Sequence, residues 1–157
     1  MPVGEAISAC ALVAGTLDLV EAMIFNGVRG VSPEKLLQVI SSGVLGAVAL
    51  RAGMASAVRG LAIHYGITLA WAALFVVASL WVGALRKHAV ISGLLYGVLI
   101  FGVMNFVVLP HSHVVGEPAL RGWVVVNAVG ALMGCMGLPI AVVSRWKLPP
   151  DEGELEA

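Results

Sequence analysis

Three stretches of this chain contain no aspartate, glutamate, lysine or arginine: 26 residues between Arg59 and Arg86, 29 between Lys87 and Glu117, and 23 between Arg121 and Arg145. A helix needs about 20 apolar residues to cross the ~30 Å hydrocarbon core of a bilayer, and there it satisfies its own backbone groups. All three gaps are long enough. They predict spans at 60–84, 89–110 and 121–144, the second closed by Pro110, because the residue before a proline is turned out of the helix. Pro139 inside the last gap predicts a kink, since Ile140 to Ser144 continues apolar.

Composition agrees with the gaps. With 60% hydrophobic residues and only 11% charged ones, the 157-residue chain has too little polar surface to cover a water-soluble domain. That excludes a soluble enzyme, a disordered segment and a secreted disulfide scaffold. The formal charge of +0 leaves no basic excess to release counterions, so no nucleic-acid partner is expected. Cys10 and Cys135 both lie in apolar runs and read as small packing residues.

A fourth span is expected at 6–25. It contains Asp18 and Glu21, and insertion scales charge about 2.5–3.5 kcal/mol for an aspartate at a helix centre, which the surrounding aliphatic residues can offset. The N-terminus before it lacks the basic region of a signal peptide, so the run is kept as a membrane span. Between this span and the next, Ser32-Pro33-Glu34 is a helix start: a capping serine, proline at the first helical position and an acid in the first turn. The apolar run that follows, Leu36 to Leu50, makes only about 22 Å of helix. It predicts an interfacial or re-entrant half-helix at 33–50, with a short fifth span as the alternative.

The expected fold is therefore all-α: a polytopic four-helix bundle with four transmembrane helices plus the half-helix over residues 1–147, and an acidic, disordered tail over 148–157. Gly93 with Gly97, and Gly130 with Gly134, have the spacing of close helix contacts. Trp81, Trp123 and Trp146 fall near span ends, where interfacial aromatics sit. Four spans put both termini on one side. The compact Arg86-Lys87-His88 turn and the C-terminal tail favour the cytoplasmic side for them.

An ionisable residue inside a membrane is a functional candidate by default. Asp18, Glu21 and His64, with Asn105 as a polar neighbour, form the candidate proton or solute site. Glu21 follows Asp18 at i+3 on one helix face. His64, and His111 and His113 beyond Pro110, are sent by the topology toward the same half of the bundle. These three histidines are the candidate metal ligands; zinc, iron or manganese would suit imidazoles and carboxylates together. His64 with His111 or His113 could instead hold a haem between facing helices. The plainer alternatives are that the two acids bond Arg29, Arg51 or Arg59, that His64 is a helix–helix hydrogen-bonding residue, and that His111 and His113 belong to an ordinary loop. No phosphate loop, nucleophile elbow or paired-histidine metal motif is present, so no enzyme is expected and no motif calls for a cofactor.

Ile40-Ser-Ser-Gly-Val-Leu-Gly46, Gly60-Leu-Ala-Ile-His64, Gly93-Leu-Leu-Tyr-Gly97 and Val108-Leu-Pro110 give the chain a resemblance, over about residues 15–112, to small uncharacterised bacterial multi-pass membrane proteins. More distantly it resembles the YagU-like inner-membrane proteins. The resemblance implies a bacterial cytoplasmic (inner) membrane location, with Asp18 and His64 at positions matching the family's polar features. It implies no activity or cofactor, and His111 after Pro110 departs from the pattern. Three functional readings follow. The first is a non-enzymatic membrane protein handling a proton, a metal ion or a small solute. The second is a structural or accessory subunit of a larger membrane complex or homo-oligomer. The third is a haem-binding redox protein. The lipid bilayer is the one partner common to all three.

Overall fold

The computed structural model describes residues 3–115 and 122–148. Helix α1 (Val3–Val28) is followed by α2 (Pro33–Leu45) and a 3₁₀ segment, Gly46–Arg51. Then come α3 (Gly53–Trp81), a one-turn α4 (Ala84–Lys87) and α5 (Ala89–Val103). A π-turn at Met104–Val108 and a 3₁₀ turn at Leu109–His111 prolong α5. Helix α6 (Gly122–Ala131) passes through a π-turn, Leu132–Gly137, into α7 (Leu138–Lys147). The fold is all-α, and four of its helical runs are long and apolar enough to cross a membrane: Val3–Val28, Gly53–Trp81, Ala89–His111 and Gly122–Lys147.

These runs differ from the expected 6–25, 60–84, 89–110 and 121–144 in instructive ways. The second begins seven residues early, because Gly53 opens a helix that carries Arg59 on its exposed first turns. It ends early where Val82 and Gly83 break into α4. In the fourth run the missing N–H of Pro139 is accommodated by the preceding π-turn, so the helix runs on to Lys147. Arg121 and residues 149–157 lie outside the described residues. Leu148, the first residue of the expected tail, is instead buried with the core.

The half-helix starts as its cap dictates: Ser32 Oγ accepts from the Lys35 N–H at 3.2 Å, with Pro33 at the first turn. It stops at Gly46, whose φ of +66° is a left-handed conformation that glycine adopts without strain. The helical 33–50 expectation thus divides into α2 and a 3₁₀ turn. Helix α2 lies on the first turns of α3, where Gly60 sits directly on the Leu37 backbone. Gln38 donates to the carbonyl of Gly53 at 3.3 Å and to Glu34 at 3.1 Å. From the far side, the His113 N–H bonds the Gly43 carbonyl and the Val115 N–H bonds Ser42 Oγ.

Helix α1 packs between α3 and the α6–α7 run, and α5 packs along the other side of that run. Small residues make this closeness attainable: Ala6, Cys10 and Ala14 on α1 are fully buried, and Cys10 Sγ reaches the Ile140 carbonyl at 3.4 Å. Gly93 and Gly97 press on Leu138 and Met133, with Gly137 opposite them. The expected Gly130–Gly134 contact does not form. Both face open space, because the π-turn re-phases the helix and gives the contact to Gly137. Tyr96 spans the wider gap to α3, donating to the Trp71 carbonyl at 2.7 Å with its ring edge-on to Trp71 and Phe75.

The outside of the bundle is as apolar as the inside. Leu12, Ile24, Leu74, Leu95 and Phe106 are each about 60% exposed or more. Water would not tolerate so continuous an apolar surface, whereas lipid solvates it. Trp81, Trp123 and Trp146 are exposed at run ends. The chain is a multi-pass membrane protein.

Candidate functional site

The polar residues of α1 descend its helix in steps of three. Each such step turns about 60° around the axis, so Gly15 and Glu21 point about 120° apart with Asp18 between them. Gly15 meets α3. Tyr65 and Thr68 pack against it, and its carbonyl oxygen lies 2.9 Å from His64 Nε2. A carbonyl only accepts, so this bond places a proton on Nε2 and leaves Nδ1 as the nitrogen that can gain or lose one. Thr68 Oγ1 ties back to the His64 carbonyl at 2.9 Å, and Thr16 Oγ1 meets Tyr65 OH at 2.9 Å beside it. His64 is fixed between two helices.

Glu21 turns the other way, toward α6. Its Oε1 accepts from Asn127 Nδ2 at 2.9 Å. The two residues sit in an open groove of about 650 Å³ between α1 and α6, walled by Leu17, Val20, Ile24, Phe25 and Trp123. Cys135, from the π-turn, lines the same groove. Asp18 is within electrostatic range of both Glu21 and His64, and Cys135 within range of both carboxylates. Arg29, at the rim, lies over the Phe25 ring at 5.3 Å. Among the described residues neither Asp18 nor Glu21 has a basic side chain as an ion-pair partner in Arg29, Arg51 or Arg59.

Asp18 lies on α1 between the Gly15–His64 and Glu21–Asn127 contacts and interacts electrostatically with both His64 and Glu21. Asp18 and Glu21 lie one turn apart on α1, and Glu21 is bonded to Asn127 of α6. Asn105 is not drawn in. It is buried on the π-turn after α5, its Nδ2 bonds the Phe101 carbonyl one turn back at 2.9 Å, and its Oδ1 has no partner among the described residues. His111 is exposed with Nδ1 bonded to the Val107 carbonyl at 2.7 Å, and His113 is exposed beside Gly46. His64, His111 and His113 form no common site, and no group of three histidine, cysteine or acidic side chains among the described residues could hold a metal ion. His64 is held between α1 and α3, whereas His111, in the 3₁₀ turn Leu109–His111, and His113 beyond it are exposed.

Asn127 and Cys135 escaped the reading of the sequence. A lone asparagine in a 23-residue uncharged run carries a signal, since an amide in hydrocarbon needs a partner. Nothing local shows that the partner is Glu21, 106 positions away. Compared with known protein families, with curated proteins and with solved structures, the chain shows no match.

Proposed function

We propose that this chain is a small, non-enzymatic bacterial inner-membrane protein that exchanges protons, coupled to a small solute, through Glu21, Asp18 and His64. The observation that supports it is the electrostatic interaction of Asp18 with both Glu21 and His64. Glu21 lines a groove on the outside of the bundle, Asp18 precedes it by one turn on α1, and His64 is bonded through Nε2 to the Gly15 carbonyl. A carboxylate at this depth is costly unless a proton or a positive charge neutralises it. A nearby imidazole with one free nitrogen is a suitable proton donor and acceptor. On this reading both termini lie in the cytoplasm, with the groove and α2 toward the opposite face.

Infrared titration of the carboxyl C=O bands of the purified protein tests this reading. A band that appears and disappears across the mildly acidic to mildly basic range, and that is lost in Asp18→Asn or Glu21→Gln while the helical circular dichroism persists, is the expected result. Carboxyl bands that are the same across that range in the unaltered protein, Asp18→Asn and Glu21→Gln would overturn it. The rival, a structural subunit, makes a different forecast: Asp18→Ala and His64→Ala lose the fold and any assembly together.

A further inference from the structure

The groove between α1 and α6 has an unusual chemical makeup for a surface that faces lipid. Its walls are aliphatic and aromatic, and its volume of about 650 Å³ lies within the range of small-molecule sites. Set into it is one carboxylate, Glu21, oriented by the Asn127 amide at 2.9 Å. Seven residues, or about 10 Å of helix, separate Glu21 from the end of α1 at Val28. The groups around Glu21 that titrate or carry charge are Asp18 on its own helix, His64 from α3 behind Asp18, Cys135 from the π-turn, and Arg29 at the rim. Arg29 is held over Phe25 two turns away, so it gives Glu21 no counter-charge at contact distance.

The mostly apolar lining offers an inorganic cation few oxygen ligands in place of its water. The Glu21 carboxylate disfavours an anion beside it, while Arg29, at the rim, is engaged with the Phe25 ring. What the groove complements is a positive charge carried on an apolar body, which would meet Glu21 and the aliphatic and aromatic walls, Trp123 among them. We propose that the α1–α6 groove binds lipophilic organic cations from the membrane, with Glu21 as the charge partner, in exchange for a proton. The inference rests on the proton-exchange reading and names the class of its solute. The exchange balances: one monovalent cation enters, and one proton leaves the Glu21 carboxyl, through Asp18 and His64 or directly to water at the rim.

The test is equilibrium dialysis of labelled tetraphenylphosphonium against the full chain in lipid nanodiscs, with protein-free nanodiscs subtracted and tetraphenylborate as the anion of the same shape. Expected are saturable binding of the cation alone, weakening as the pH is lowered, and an affinity reduced roughly tenfold or more in Glu21→Gln, the usual scale for removing one partner of a desolvated charge pair. Glu21→Asp should retain binding. Absence of saturable binding, equal binding of tetraphenylborate, or an affinity that ignores pH in the unaltered protein overturns the proposal, and that last measurement needs no variant to fold. A carboxyl band that titrates without cation binding would sink this inference alone. Carboxyls that do not titrate would sink the proton-exchange reading with it.

Discussion

At the residue scale, the glycines show how differently one residue type can be used in a single chain. A Cβ on Gly60 would run into the Leu37 carbonyl, and one on Gly97 into the Met133 backbone. Neither neighbour can yield as a flexible side chain could. Gly60→Ala and Gly97→Ala should each cost about 1–3 kcal/mol or more, the range for overpacking, read as a lowered midpoint in thermal unfolding in detergent. Gly130→Ala meets nothing within 4 Å on a helix, so it should leave that midpoint unchanged or raise it by up to about 1 kcal/mol in stability through helix propensity. The cysteines divide in the same way. Cys10 is fully buried against Ile140, whereas Cys135 lines the groove. A membrane-permeable thiol reagent should label Cys135 in the folded protein and spare Cys10, as peptide mapping would show; labelling of both at equal rates would contradict the packing.

At the element scale, α2 is the part whose position needs most explanation. It is too short to cross a bilayer, it is capped as a separate helix, and it is clamped by α3 on one side and by the segment after α5 on the other. Val44 on α2, Val48 on the 3₁₀ segment after it and Met54 at the start of α3 are left exposed, as suits a half-helix resting at the lipid boundary. Ser32→Ala removes the cap acceptor for the Lys35 N–H and should cost about 0.5–2 kcal/mol, which proteolysis within 29–36 would detect as earlier cleavage. The serines at the α2–α3 contact make the same joint sensitive: Ser41 and Ser56 are fully buried with no hydroxyl partner among the described residues. Replacing either by alanine should be neutral or stabilising, because it removes a buried polar group and leaves none stranded.

At the scale of the whole molecule, the exposed surface is apolar around the bundle and the buried interior holds polar groups between helices. Cys10, Thr68, Ser79, Ser144 and Arg86 are all buried, with Arg86 Nε donating to the Ser79 carbonyl at 3.2 Å. Arg86 was legible in the sequence only as a turn cation; the structure folds it back over the end of α3. Cys10 facing Ile140 places the first part of α1 beside the later part of the fourth run, Gly122–Lys147. Reporter fusions at the two termini should therefore give the same topological signal, and opposite signals would refute four crossings.

The sequence by itself determined the class of protein and the number of its long helices. Uncharged runs of 23 to 29 residues admit no other backbone solution in a chain so poor in charge. It also marked Asp18, Glu21 and His64, since an ionisable group among apolar neighbours stands out without any knowledge of packing. What only the tertiary structure decided is how these groups are shared out. That Glu21 meets Asn127 and His64 the Gly15 carbonyl, that Gly137 rather than Gly130 or Gly134 meets α5, and that His111 and His113 are exposed depend on helix rotation. Rotation is set by two π-turns and by contacts between residues up to 130 positions apart. Hydrophobic periodicity cannot report it, because a helix solvated by lipid on one side and by its neighbours on the other is apolar all the way round.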